Sequence, residues 1–152
     1  MVNIQIRLAR EEDADAVHAV NRDALGYPYP LEKTRICLKT LLHSGQDRLF
    51  VACLNDAVVG YIHGAHYECT YADPVKNIMA LAVLPQYQGL GIGRMLLEAL
   101  ESWAQAEHCA GIRLGSGVER AGAHEFYKHC GYKLRKIHKN FYKIFKKKRL
   151  SV

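Results

Sequence analysis

The sequence has no long hydrophobic run. Of its 152 residues, 49% are hydrophobic and 24% are charged, yet no stretch reaches the roughly 18 apolar residues that span a bilayer. The opening MVNIQIRLAREED also lacks the basic segment and apolar stretch of a secretory signal. We therefore expect a soluble, cytoplasmic protein without a membrane partner. Its length is typical of one domain with one hydrophobic core.

Paired cysteines are also absent. The five cysteines stand at scattered positions without a CxxC pair, which gives no sign of a disulfide framework or a zinc knuckle. His63, His66 and Cys69 are close in sequence, but residues three apart in a strand point to opposite faces. We therefore expect no metal site.

Acidic residues are missing from the C-terminal part of the chain. Nine lysines and arginines follow from Lys133 onward without an Asp or Glu, whereas residues 1–132 hold 12 basic and 15 acidic side chains. A short charged terminus is usually solvated. We expect a domain over residues 1–146, a basic tail over residues 147–152 and no nucleic-acid partner. The alternative is a tail that docks the domain on nucleic acid or ribosomes.

Hydrophobic periodicity predicts an α/β fold with about four helices. NIQIRLA alternates as a half-buried strand, whereas REEDADAVHAVNRDAL has helical spacing. A second helix is predicted over residues 31–43, followed by a hairpin of RLFVACL and AVVGYIHGAHY across Asn55-Asp56. NIMALAVL is a buried strand. Helices over residues 91–107 and 121–129 flank the short strand GIRLGSG, and YKLRKIHKNFYKIF supplies one or two final strands. The result is a single mixed, mostly antiparallel sheet of six to seven strands.

Three glycines, Gly89, Gly91 and Gly93, lie where the buried strand gives way to a helix. Backbone N–H groups without intrahelical partners can converge on an anion at such a place. A dinucleotide fingerprint needs a third glycine three residues beyond the second, and a P-loop ends in Gly-Lys-Ser/Thr. The sequence has neither arrangement, so another type of phosphate cradle remains.

The segment from Gln88 to Gly93 resembles the Arg/Gln-x-x-Gly-x-Gly/Ala signature of the GCN5-related N-acetyltransferase (GNAT) family. Further on, AGAHEFYKHCGY resembles the second characteristic block of that family. The matching residues of this block are Ala123, Phe126, Tyr127, Gly131 and Tyr132. The chain departs from the family at Arg120, where many relatives carry Asn. The resemblance implies a single domain with the GNAT fold.

The resemblance also implies a reaction, in which acetyl-CoA is the co-substrate and a primary amine attacks it directly in a ternary complex. The pyrophosphate is expected on the amides of the glycine segment, and the pantetheine arm between NIMALAV and GIRLGSG. Tyr127 is expected to contact the cofactor and to protonate the departing thiolate. The expected cofactor-binding residues are Leu81, Ala82, Val83, Gln88, Gly89, Leu90, Gly91, Ile92, Gly93, Arg94 and Tyr127.

The general base stays open, because NIMALAV offers no carboxylate where many relatives place a Glu. A lysine-like amine has a pKa of about 10.4, so only roughly one molecule in two thousand is neutral at pH 7. We take His66 and Glu68 as candidate catalytic residues. Asp73, a water held by Ser116 and a chain of waters to bulk solvent are the alternatives.

The acceptor site is expected to be bordered by the first two helices, with GYPYPLEKTR, and by the segment HYECTYADP. Tyrosines make these segments aromatic and acids make them partly negative, which suits a cationic amine. We expect a small-molecule amine. A protein Lys or N-terminus is the alternative acceptor, and an acyl-CoA sensor without turnover is the alternative function. Exposed strand edges near the C-terminus predict a homodimer.

Overall fold

The computed structural model describes residues 3–146, and the chain divides into two compact units. The first unit is Met1–Gly115 and the second is Ser116–Val152. No helix in the described part of the chain is long and apolar enough to cross a bilayer. The expected tail over residues 147–152 lies outside the described residues, and the domain boundary at 146 stays a prediction.

The first unit contains a five-stranded sheet and three α-helices. The strands are β1 (Ile4–Leu8), β2 (Asp47–Leu54), β3 (Ala57–Cys69), β4 (Ala72–Val83) and β5 (Ile112–Arg113). The helices are α1 (Ala14–Val20), α2 (Leu31–Leu42) and α3 (Ile92–Ala106). The strands lie in chain order, with β1 to β4 antiparallel and β5 parallel to β4. This confirms the predicted mixed sheet, because the α3 connection returns the chain in the same direction.

Helices cover both faces of the sheet. Val17 and Val20 of α1 and Leu38 of α2 pack with inward side chains of β2 and β3 into one core. α3 covers the opposite face with a row of buried side chains, namely Ile92, Leu96, Leu97, Leu100, Trp103 and Ala104. A Cβ built on Gly64 of β3 would lie 2.3 Å from Leu100 Cδ1. The helix therefore approaches the sheet closely enough to require glycine at this position.

The face that each side chain of β4 occupies reverses at Met79. Ala80 pairs with His63 of β3, and Ile78 pairs with the residue after it, so Met79 is the extra residue of a β-bulge. Before the bulge, Lys76 contacts Trp103 of α3 and Glu107, the residue that follows this helix. After the bulge, Ala80 packs against the core beneath α1 and α2. One strand thus contributes side chains to both cores.

The first predicted helix is divided into three parts. A 3₁₀ turn (Glu11–Asp13) precedes α1, and a π-helical turn (Asn21–Leu25) follows it. Gly26 then adopts a left-handed conformation with φ of 74° and ends the segment. At the π-helical turn the Tyr61 hydroxyl of β3 donates to Asn21 Oδ1 at 2.5 Å. Periodicity does not reveal this contact, because it joins residues 40 positions apart in sequence.

The β3–β4 hairpin extends further than predicted. Asn55 and Asp56, between β2 and β3, both have positive φ, which confirms the tight turn expected there. The segment HYECTYADP, however, is mostly strand rather than loop, because β3 runs to Cys69 and β4 begins at Ala72. The acceptor wall predicted from this segment is therefore part of the sheet.

The second unit contains α4 (Ala121–His129). Gly131 follows it with φ of 91°, which confirms the predicted C-cap. The predicted final strands are wrong, since residues 133–146 contain no strand and the described sheet has five strands rather than six to seven. Alternating apolar residues specify the two faces of a strand but not a partner for its backbone. The homodimer expected from these edges stays a prediction.

Candidate active site

The glycine segment connects β4 with α3 in a conformation that requires glycine at two positions. Gly89 has a φ of 84° and Gly91 has a φ of 83°, a region that other residues rarely adopt. A Cβ built on either residue would meet no other part of the described chain within 4 Å, so open space lies beside the loop. Gln88 Nε2 donates to the carbonyl of Val83 at 3.1 Å and ties the loop to the end of β4.

The N-terminus of α3 is open to a ligand. Gly91 is its N-cap, and no side chain among residues 3–146 caps the helix. The first intrahelical hydrogen bond runs from the Met95 amide to the Gly91 carbonyl at 3.1 Å. The amides of Ile92 and Gly93 therefore point out of the helix end. Such an end stabilises an anion by roughly 0.3–2 kcal/mol, so it fits a phosphate group.

One edge of β4 is open beside this loop. β5 pairs with β4 only at Lys76 and Asn77, and no other described strand pairs with that edge from residue 78 to residue 83. Backbone N–H and C=O groups on an open edge bind the amides of an extended ligand as they would bind a strand. Residues 81–83, expected to bind the pantetheine arm, lie on this edge.

A cleft of about 530 Å³ opens on the face of the sheet that α1 and α2 cover. Its lining is Asn21, Leu25, Tyr27, Pro28, Tyr29, Pro30, Tyr61 and Ala80. The predicted segment GYPYPLEKTR therefore does line a cleft, whereas HYECTYADP does not. Its volume is typical of a site for a small molecule. Ala80 belongs to β4, so the cleft reaches the same strand as the open edge.

Two tyrosine hydroxyl groups of the cleft, those of Tyr61 and Tyr29, have raised pKa values. Burial raises the pKa of Tyr61 to about 12, although its hydrogen bond to Asn21 opposes the shift. The Cys37 side chain beside the hydroxyl of Tyr29 raises the pKa of that tyrosine. None of the residues in the cleft lining carries a charge.

The carboxylates on the helical elements that border the cleft are paired with arginines. Asp23 in the π-helical turn accepts from Arg22 Nε at 2.7 Å. Arg35 of α2 binds Asp15 at 2.7 Å and also contacts Glu32. Of the acids that the sequence placed at the acceptor site, Asp23 and Glu32 thus contact arginines outside the lining, whereas Glu68 contacts His66 and Asp73 is exposed.

His66 and Glu68 lie together, on a network that reaches α3. Lys76 Nζ donates to His66 Nδ1 at 3.0 Å, and His66 Nε2 is 2.9 Å from Glu68 Oε1. An ammonium group has no acceptor atom, so Nδ1 accepts and Nε2 carries the proton. Both ring nitrogens therefore have partners. The side chain lies on the α3 face of the sheet, whereas the cleft lies on the opposite face.

Lys76 is the centre of this network and is 1% exposed. Its ammonium also donates to Glu107 Oε1 at 2.5 Å and lies 3.9 Å from the centre of the Trp103 ring. This hydrogen bond holds the pKa of Glu107 below its usual range. Such a buried, fully paired lysine is a structural group. The sequence signal for it is a single cation inside the apolar run VKNIMALAV.

Tyr127 belongs to the second unit and lies on α4. Its ring contacts Phe126 edge-to-face at 5.3 Å between centroids, and Tyr132 at 5.8 Å. Burial raises the pKa of Tyr127, while the charge of Arg120 opposes that shift. The phenol is therefore protonated at neutral pH and able to donate.

The sequence did not predict Asn21, Tyr61 and Ala80 as site residues. A strand tyrosine and a helical asparagine carry no local signal of their contact. Ala80 faces the cleft only because of the bulge at Met79. A glycine or alanine in an otherwise bulky strand is the signal that could have indicated a close approach by a ligand.

Comparison with known proteins gives one consistent result. A model of the acetyltransferase (GNAT) family matches residues 14–132. The aminoglycoside N(6')-acetyltransferase type 1 of Stenotrophomonas maltophilia is 32% identical over 108 residues, which cover 68% of each chain. An N-alpha-acetyltransferase of Sulfurisphaera tokodaii is 30% identical over 147 residues, which cover 91% of this chain and 85% of that protein.

A solved structure has the same fold. The aminoglycoside acetyltransferase AAC(6')-Iy, in complex with a bisubstrate analogue of coenzyme A and acetylneamine, superimposes with a TM-score of 0.84 at 14% identity. The match covers 94% of this chain and 99% of that one. The same enzyme was also crystallised with coenzyme A. The chain therefore belongs to the GNAT family of N-acetyltransferases, which use acetyl-CoA as the acetyl donor.

Proposed function

We propose that this N-acetyltransferase acetylates the primary amine of a small molecule by direct attack in a ternary complex. One observation carries the proposal: β4 has an open edge from residue 78 onward, and Ala80 of the same strand lines a cleft of small-molecule size. A donor on the edge and an acceptor in the cleft would meet at one strand.

The donor would lie along residues 81–83 and across the glycine segment. The amides at the start of α3 bind its pyrophosphate, and the open edge of β4 binds the amides of its pantetheine arm. The alternative is a helix start shaped only by packing. The presence of both family segments, Gln88 to Gly93 and Ala123 to Tyr132, supports the donor site instead.

The chemical step forms one bond and breaks one bond. The neutral amine attacks the carbonyl carbon of the acetyl group, the C–N bond forms, and the C–S bond breaks with its electron pair on sulfur. Tyr127 donates its phenolic proton to the departing thiolate. The proton that the amine loses restores the phenol through solvent. The raised pKa of Tyr127 keeps the required protonated form at neutral pH.

The amine loses its proton to water rather than to a side chain in this proposal. His66 has partners at both ring nitrogens and lies on the face of the sheet opposite the cleft. Glu68 contacts His66 and lies on the same network. A water chain, one of the alternatives drawn from the sequence, needs no side chain at all.

The test is thiol release from acetyl-CoA by the full chain with a panel of primary amines. We expect Tyr127→Phe to reduce kcat by at least 100-fold, as expected for the loss of a general acid, while the Kd for coenzyme A stays within threefold. Tyr142→Phe, at a tyrosine that is 88% exposed, is the matched control. If coenzyme A binds but no amine releases thiol, the protein is an acyl-CoA sensor and the proposal is wrong.

A further inference from the structure

The lining of the cleft is aromatic and apolar. Tyr27, Tyr29 and Tyr61 provide aromatic surface, and Leu25 closes one side. Two prolines in the same loop make the wall stiff as well as apolar. Such a surface favours a flat apolar group by stacking and by burial of its area.

The polar groups of the lining suit a single amine. Asn21 Oδ1 already accepts the hydrogen bond of the Tyr61 hydroxyl, so the Tyr61 oxygen is oriented with its lone pairs toward other donors. An amine in the cleft can donate to that oxygen. The tyrosine faces provide weaker attraction for any cationic fraction.

A second ammonium group would find no carboxylate there. The acids on the bordering helical elements, Asp15, Asp23 and Glu32, each contact an arginine. These pairs are solvent-exposed, so breaking one costs little. Leaving a second cation beside apolar walls is unfavourable, and the uncharged lining therefore disfavours a polyamine or an aminoglycoside.

We propose that the acceptor is a monoamine whose amino group is carried by an uncharged aromatic or similarly flat apolar substituent, with Tyr27, Tyr29 and Tyr61 forming the surface that selects it. This inference rests on the proposed function. It separates the chain from the aminoglycoside acetyltransferases that share its fold. The same surroundings also disfavour the charged form of the amine, which increases the neutral fraction able to attack.

The experiment compares kcat/KM for 2-phenylethylamine, spermidine, neamine and pentapeptides that begin with Phe or with Lys. We expect 2-phenylethylamine to exceed spermidine and neamine by at least 100-fold. A Phe-initiated peptide that exceeds both 2-phenylethylamine and the Lys-initiated peptide would support the apolar selection but overturn the small-molecule acceptor of the proposed function, because the amine would then belong to a polypeptide N-terminus.

A second test of the inference places a negative charge in the cleft. Tyr27 is 55% exposed, so Tyr27→Asp is tolerated by the fold, and a thermal melt of the variant verifies this. We expect it to lower kcat/KM for 2-phenylethylamine at least tenfold and to raise that for spermidine. Tyr142→Asp, outside the cleft, should leave kcat/KM for both 2-phenylethylamine and spermidine unchanged.

Two outcomes overturn the inference and are distinguishable. If spermidine or neamine reacts as well as 2-phenylethylamine, the aromatic selection is wrong while the N-acetyltransferase activity stands. If no amine releases thiol although coenzyme A binds, the proposed function itself fails and the inference fails with it.

Discussion

At the scale of single residues, titratable side chains divide between structural and chemical roles according to their partners. Lys76, His66 and Glu107 satisfy one another on the α3 face. Tyr61 has one partner and faces the cleft. The sequence identified His66 by its type alone, because a histidine near neutrality is a suitable base. The type of a residue does not indicate whether its nitrogen or oxygen atoms already have hydrogen-bond partners in the fold.

The role of His66 can be tested by its removal. We expect His66→Ala to lower the free energy of unfolding by about 1–3 kcal/mol, because it removes one acceptor of a buried ammonium. The kcat should stay within threefold of the wild-type value. The fall in kcat on the acidic side of the pH–rate profile should occur at the same pH as in the wild type. Urea denaturation and a pH–rate profile measure the two effects.

A large loss of activity would instead support the prediction from sequence that His66 is a catalytic residue. A loss of kcat above 100-fold, with the acidic limb gone, would identify His66 as the general base. Glu68→Gln serves as the companion variant. If His66 were the base, removing the carboxylate beside its Nε2 would also displace the acidic limb.

At the scale of elements, the loop between β4 and α3 holds the conformation on which the proposed donor site depends. Its glycines were recognisable from sequence, since they stand in a known motif, but their left-handed conformation was not predicted. The resemblance placed the pantetheine arm between NIMALAV and GIRLGSG, and the extent of the open edge of β4 was not predicted. The bulge at Met79 and the π-helical turn at Asn21–Leu25 were not predicted either, because each depends on contacts between distant segments.

Substitution of Gly91 tests the loop. We expect Gly91→Ala to raise the Kd for coenzyme A at least tenfold, because φ of 83° costs a residue with a Cβ roughly 1 kcal/mol and the methyl group enters the space beside the loop. Calorimetric titration with coenzyme A measures it. Gly45→Ala, which also meets nothing within 4 Å, should bind normally. Equal Kd values for the two variants would contradict the assignment.

At the scale of the whole molecule, periodicity predicted the order of the helices and strands. The predicted final strands near the C-terminus were wrong. Residues 133–146 alternate in the manner of a strand, yet their apolar side chains are highly exposed; Phe141, Tyr142 and Ile144 exceed 80%. Periodicity indicates how a segment could bury one face. It does not indicate whether the fold provides a neighbouring strand or an apolar surface for that segment.

Stability of the first unit depends on an ion pair between β1 and the turn before α1. Asp13 is 6% exposed and accepts two hydrogen bonds of 2.8 Å from Arg7 and one from the Arg10 amide. Burial alone would raise the pKa of Asp13, but these bonds outweigh it and the pKa falls below 3.8. The folded state therefore releases this proton more readily than the unfolded state.

The resulting stability is present above the unfolded pKa and is lost as the pH falls through the lower, folded pKa. We expect Asp13→Asn to reduce the free energy of unfolding by about 2 kcal/mol at pH 7, as for hydrogen bonds to a charged group. The deficit should shrink below pH 4. Urea denaturation between pH 7 and pH 2.5 measures it. Asp73→Asn, at an exposed position, is the control, and a deficit that does not change with pH would disprove the linkage.

The bulge at Met79 bears on how the chain can change over generations. Because the direction of side chains reverses there, replacement of Ala80 alters the wall of the cleft without touching the packing beneath α3. In the proposed acceptor cleft, single substitutions can therefore change the preferred amine while the opposite core stays intact. Deletion of Met79 would remove the extra residue and leave a regular strand in which Ile78 still faces α3 and Ala80 still faces the cleft, so a lineage that lost this one residue would keep the wall of the cleft.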